Sequence, residues 1–418
     1  MTTAYDALDA WIERHFDEEV RFLQALVQVP TDTPPGDNAP HAERTAQLLA
    51  GMGLHAERHA VPADEVTAAG LTSITNLIVR QRFGGDGPVV ALNAHGDVVP
   101  PGPGWTHDPY GAEIVDGRLY GRAAAVSKSD FATYTFALRA LQAVAAAEGL
   151  PLRGAVELHF TYDEEFGGEL GPGWLLRQGL IHPDFVLAAG FSYQVITAHN
   201  GCLQMEVTVQ GRMAHAAIPE SGVDALQGAV AILSALYARN LAYRAQPSRV
   251  PGIRHAYLNV GRIEGGTHTN VVPGQVVFKL DRRMIPEEDP VQVEAEVRRV
   301  IEEAAATQPG LQVQVRRLLL ARSWQPDERS APLVQALQRH GLAVFGEPIA
   351  ASGTPLYTDV RLYAAAGAAA AIYGAGPRTV LESNAKRADE HLVLEDLRRA
   401  TRVVARTLLN LLVPVHTA

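Results

Sequence analysis

The sequence predicts an α/β domain with a substantially parallel sheet, interrupted by a smaller α+β domain. Three observations carry this. Short apolar runs alternate with helical periods up to about residue 190. Near residue 199 the texture changes to half-exposed strands and helices in the order β-α-β-β-α-β, that of a ferredoxin-like sandwich. After Gln325-Pro326-Asp327 the α/β texture returns. A chain of 418 residues is also too long for one average core. The expected divisions are 1–198 and 319–418 for the α/β domain and 199–318 for the insert.

Residues 5–28 have helical periodicity that ends near Val29-Pro30, and 41–52 form a second helix closed by Gly51-Met52-Gly53. Strands follow at 74–80 and 89–94, then a helix over 129–147, a strand at 155–161, a helix at 172–178 and a strand at 184–189. In the insert, Leu203 to Val209 alternates as a strand with one face exposed. A helix over 222–239, strands at 256–264 and 275–281, a helix over 290–305 and a strand at 311–316 complete it. The closing part reads as a helix at 330–340, a segment from Tyr357 to Ala366, a strand at 368–373 and a helix from 393 to 412.

Composition narrows the function. Hydrophobic residues make up 47% and charged residues 20%, ordinary for a soluble globular protein. A net charge of −10 argues against nucleic acid and anionic membranes as partners. Cys202 is the only cysteine, which rules out an internal disulfide or a cysteine-based zinc site. Met1 to Phe22 lacks a signal-peptide core, and no apolar run is long enough for a membrane span. A cytoplasmic enzyme acting on a small molecule is expected. Lysine occurs only at 128, 279 and 386, so a lysine inside a motif is informative.

Two charged clusters stand at strand ends, where chemistry gathers in open α/β sheets. The first is His95-Gly96-Asp97-Val98-Val99-Pro100; the second is Asp163-Glu164-Glu165-Phe166-Gly167-Gly168. His95 and Asp97, two apart on extended backbone, can face one side, so His95 suits a metal and Asp97 suits orienting its ring. Glu164 and Glu165 point apart in regular extended structure, so one can ligate while the other takes a proton from water. A capped polar turn and a solvated acidic turn are the plainer readings.

Further motifs follow in order: Gly104-Trp105 to Tyr110, Gly117 to Arg122, Gly211 to Pro219 around His215, Asn270 to Pro273, and Asp281 to Glu287 around Arg283. Together they resemble the metallopeptidase family of glutamate carboxypeptidases, aminoacylases, acetylornithine deacetylases and succinyl-diaminopimelate desuccinylases, over roughly residues 10 to 412. The resemblance implies a mixed-sheet, zinc-peptidase-like catalytic domain with a ferredoxin-like lid that makes a homodimer. It assigns His95 and Glu165 to metal, Asp97 to supporting His95, Glu164 to general base and His215 to the oxyanion. Asn270 and Arg283 would hold polar and carboxylate groups of the substrate.

Three family ligands do not carry over. Val126 stands where a bridging Asp is usual, Ala188-Ala189-Gly190-Phe191 where an acid is expected, and Lys386 in place of the last histidine. Two remaining protein ligands make a weak site, so the expectation is at most one divalent metal, zinc or manganese, and no binuclear centre. Asp130, His391, His107, His199 and His268 are substitutes to be weighed, each more often structural than ligating. Alternatively, the Lys386 ammonium beside Glu165 replaces the metal's charge and orients an anionic substrate. The function expected is hydrolysis of an amide or related C–N bond in a small carboxylated molecule. A non-catalytic small-molecule binding protein on the same scaffold is the alternative.

Overall fold

The computed structural model describes residues 2–379 and 381–414. Two compact units emerge: Met1–Thr197 with Pro326–Ser352 and Thr358–Ala418, and Ala198–Gln325 with Gly353–Tyr357. The sequence expectation put the second junction at 318/319, inside what is now the strand Gln312–Ala321. Three consecutive leucines there hide the alternation that marks a strand, and main-chain bonds between His199 and Trp324 keep the chain with the insert beyond it.

The larger unit holds an eight-stranded sheet. In space the strands run Ala56–Ala60, Thr75–Arg82, Arg153–Thr161, Gly84–His95, Phe185–Ala188, Ala369–Ile372, Gln194–His199, Ala350–Thr354. The Arg153, Gly84, Phe185 and Ala369 strands are mutually parallel, while Thr75–Arg82 and Gln194–His199 join antiparallel. The sheet is therefore mixed. Its parallel centre is buried on both faces, which is why Val90, Leu92, Val156, Leu158 and Val186 occur in near-continuous apolar runs. The helices Thr2–Val27, Lys128–Glu148, Ala331–Phe345 and Leu394–Leu412 pack together beside it. On Leu394–Leu412, Leu397, Val404 and Leu408 face inward while Arg402 and Arg406 reach Glu13 and Asp9 of the first helix.

One local arrangement positions the chemistry. His95 ends its strand in register with Thr161 of the parallel neighbour, and the Gly96 amide donates to the Thr161 carbonyl at 2.8 Å. A side chain at 96 would put its Cβ 2.3 Å from the Tyr162 ring, so only glycine lets the two strand exits lie this close. His95-Gly96-Asp97 and Asp163-Glu164-Glu165 thereby emerge side by side.

The smaller unit is a four-stranded antiparallel sheet in the order Tyr257–Gly265, Gln275–Met284, Gly201–Gln210, Gln312–Ala321. Helices Ala225–Tyr243 and Pro290–Ala306 each start at an aspartate, Asp224 and Asp289, whose carboxylate accepts two backbone amides. Their inner sides and the sheet enclose Leu203, Met205, Val207, Phe278, Leu280 and Ile301. A two-residue ribbon, Ala214–His215 against Val271–Val272, sits outside this sheet.

Candidate active site

Glu164 and Glu165 lie on one turn of 3₁₀ helix, Glu164–Phe166, not on the extended backbone the sequence suggested. They still diverge. Glu164 Oε2 faces His95 Nε2 at 3.8 Å, whereas Glu165 Oε2 accepts the Lys386 ammonium at 2.6 Å. Asp97 is fully buried, and its carboxylate accepts the amides of Glu165 at 2.9 Å and Glu164 at 3.3 Å. The His95 ring meets the Asp97 carbonyl at 3.0 Å and its carboxylate at 3.4 Å through Nδ1. Asp97 therefore fixes the acidic turn first and the imidazole second.

The electrostatics follow from crowding. Burial pulls His95 toward neutrality, but Glu164, Asp97 and Glu165 outweigh it and hold the imidazole's pKa at about 10. Burial raises the Glu164 carboxyl, with His95 and Lys386 opposing and Glu165 and Asp97 reinforcing. A carboxyl moved toward neutral pH is a better proton acceptor in turnover than an ordinary one. Lys386 is pulled down by burial and pushed up further by Glu165 and Glu164, so it stays charged. Its side chain is about half exposed while Glu165 is almost wholly buried.

Residues that sequence reasoning passed over hold this arrangement. Asp359 is buried, and its Oδ1 would lie 2.0 Å from a Cβ at Gly168, whose φ is +73°. Arg361, also buried, donates to the Gly167 carbonyl at 2.5 Å. The start of helix Val360–Ala365, from its cap Asp359 to Arg361, thus braces the acidic turn. Burial and the nearby Glu164 charge push Asp359 well above the usual carboxylate range. The only sequence signal was an acid and an arginine two apart ahead of an apolar stretch, which is common. Ser127 is a third such residue: its hydroxyl accepts the His95 amide at 3.2 Å.

The candidate substitutes for lost ligands are engaged elsewhere. Asp130 accepts the Ala375 amide at 2.7 Å, and burial raises it to about 8 despite amide bonds from Ala375 and Gly190. His107 pairs with Glu113 at 2.8 Å and stacks on Tyr120. His391 meets the Asp389 carbonyl, His199 the Asn200 carbonyl and His268 the Asn270 side chain. At Gly190 an added Cβ would lie 2.2 Å from Ile372 Cγ2, so that position has no room for an acid.

In the smaller unit, His215 and Asn270 come together on the short ribbon, where the Ala216 amide donates to the Asn270 carbonyl. The His215 ring accepts the Ala217 amide at 3.0 Å through Nδ1 and is exposed. Arg283 makes a two-point pair with Asp281, at 2.6 and 3.3 Å, and lies over the Tyr357 ring. The pair uses Nε and Nη2 and leaves Nη1 outside it.

The profile of the peptidase family M20/M25/M40 matches residues 91–410. The chain belongs to that family. It is a hydrolase of metallopeptidase type, whose members use divalent metals such as zinc. The succinyl-diaminopimelate desuccinylase of Gluconobacter oxydans is 31% identical over 277 residues, 64% of this chain and 67% of its own length. The acetylornithine deacetylase of Myxococcus xanthus is 29% identical over 92% of this chain and 95% of its own. The fold is that of the di-peptidase Dug1p from Saccharomyces cerevisiae, with a TM-score of 0.77 at 13% identity over 98% of this chain and 99% of that one. Human carnosine dipeptidase 1 superposes with a TM-score of 0.74 at 17% identity over 97% and 98%.

The family's metals do not fit the donors present. Among the described residues no group of three or more His, Cys, Asp and Glu is placed to hold a metal ion. Glu165 already carries an ammonium. Among the described residues no helix is long and apolar enough to cross a membrane.

Proposed function

We propose that this hydrolase cleaves an amide or related C–N bond in a small carboxylated molecule, an N-acyl amino acid or dipeptide-like substrate, with Lys386 in place of the metal. The observation that carries this is the Lys386 ammonium 2.6 Å from Glu165, on the turn that also presents Glu164. Glu164 takes a proton from water as the water oxygen bonds to the carbonyl carbon. The ammonium supplies positive charge for the oxyanion; the role of oxyanion donor for His215 is the one the family resemblance implies. The C–N bond then breaks and the proton on Glu164 passes to the leaving nitrogen. Asn270 and the free edge of Arg283 hold the polar and carboxylate groups. The relatives named for N-succinyl and N-acetyl amino acids support this substrate class.

Elemental analysis of purified protein, paired with hydrolysis of N-acyl amino acids and dipeptides with and without chelator, tests it. Turnover that survives chelation without stoichiometric metal is expected. One tightly bound zinc or manganese per chain, lost together with activity, would return His95 and Glu165 to metal ligation.

A homodimer in the cytoplasm completes the proposal. Helix Ala225–Tyr243 exposes Leu226, Val230, Tyr237 and Leu241, and Tyr257–Gly265 is an edge strand with Ile263 half exposed. Such a stripe beside an open edge suits a second copy. Light scattering should give a dimer that Leu241→Glu dissociates; a monomeric native chain would reject it.

A further inference from the structure

Lys386 sits on a turn with three non-glycine residues in the left-handed region: Asn384 at φ +52°, Lys386 at +61° and Asp389 at +55°. Lysine rarely adopts this conformation, so other contacts must hold it there. They are unusually many. Glu390 is buried; its Oε2 accepts Arg122 Nη1 at 2.7 Å and the Lys386 amide at 3.3 Å, and its Oε1 accepts the Ala125 amide at 3.2 Å. Arg122 is fully buried, donates to the Pro101 carbonyl at 2.8 Å and lies over Trp105. Asp389 accepts the Thr106 amide and hydroxyl and the His107 amide at 2.8, 2.9 and 3.2 Å.

The lysine turn is thus docked on two other segments: the one leaving His95-Gly96-Asp97, and the one from Gly121 to Val126 that precedes Ser127. A solvated lysine in a decayed site has no need of a buried arginine–glutamate pair beneath its own amide. We propose that Glu390, held by Arg122, is a positioning residue that sets the Lys386 ammonium against Glu165. This rests on the reading of Lys386 as the site's cation.

With lysine only at 128, 279 and 386, selective ¹⁵N-lysine labelling of the full chain gives few ammonium signals, and Lys386→Arg assigns the relevant one. In Glu390→Gln the Lys386 signal should move to where Glu165→Gln puts it, or be lost to exchange, while Lys279 stays unchanged. Turnover should fall at least about tenfold in kcat with KM within about threefold, and Glu390→Asp should recover part of it. Should Glu390→Gln fail to fold, Asp389→Asn at the less buried end of the turn must give the same displacement. A Lys386 signal that stays in place in the folded variant overturns the inference, whatever the activity. A displaced signal with unchanged turnover upholds the positioning and removes Lys386 from catalysis, so the two readings fail separately.

Discussion

Replacing Lys386 by alanine separates its electrostatic role from its structural one. Its Nζ is 2.6 Å from Glu165 Oε2. At an effective dielectric near ~20, two unit charges that close attract by about 6 kcal/mol. The half-exposed lysine is screened, and Glu165 has already lost its hydration, so the net contribution to folding is about 1–2 kcal/mol. The melting temperature should therefore fall by no more than about 5 °C. Turnover is expected to respond far more, because loss of one preorganised charge at a developing oxyanion costs about 10²–10³-fold in kcat. The assay is steady-state hydrolysis of the best N-acyl amino acid, followed by titration with methylammonium. A free cation of the right size should restore part of kcat without changing the melting temperature. Retention of more than a third of kcat in Lys386→Ala, or the same partial rescue by methylammonium in the unaltered protein, would refute the reasoning.

Glu164→Gln should abolish turnover while calorimetric binding of a product amino acid persists; unchanged turnover rejects it as base. Val126→Asp with Lys386→His should regain at most one divalent metal per chain by elemental analysis, because Gly190 has no space for the remaining acid; two metals would show that the segment around Val126 is misaligned. Glu19 is a stability test outside the site. Burial raises it from 4.5 to about 8, with the Thr401 hydroxyl and Arg398 opposing. Its stabilising contribution is complete below pH 4.5 and is lost as pH rises through about 8, a ceiling near ~5 kcal/mol that relaxation reduces. Glu19→Gln should accordingly stabilise the protein by about 1–3 kcal/mol at pH 9 and by nothing near pH 4 in urea titrations.

Much of the architecture was legible because the parallel centre is buried on both faces and its strands are apolar throughout. The strands that escaped are short or peripheral. Ala56–Ala60 carries Glu57, Arg58 and His59 in a row between two alanines, and His391–Val393 pairs with Arg118–Tyr120 in a small separate sheet. Neither has enough apolar periodicity to stand out from a loop. In the site, His95, Asp97, Glu164, Glu165 and Lys386 were found from their motifs and do converge. Their supports were not legible: Arg361 and Glu390 act through main-chain groups of other segments and Asp359 packs against Gly168, relations that exist only once the sheet has formed. Substitution at Gly190 shows the same limit. A missing acid looks reversible in sequence, yet Ile372 occupies its space.

The substitutions also form one electrostatic set. A two-metal centre needs its bridging carboxylate and flanking acid to balance four positive charges. Without those charges, each such acid would be a buried anion with no partner, which is far more costly than its absence. The chain has an apolar residue at 126, no side chain at 190 and an ammonium at 386. What remains on and around the acidic turn is Asp97, Glu164 and Glu165, with His95 beside Glu164 and the Lys386 ammonium on Glu165. An ammonium on Glu165, together with an apolar residue at 126 and no side chain at 190, is the pattern the proposed role of Lys386 requires, and the Lys386→Ala and chelation experiments decide it.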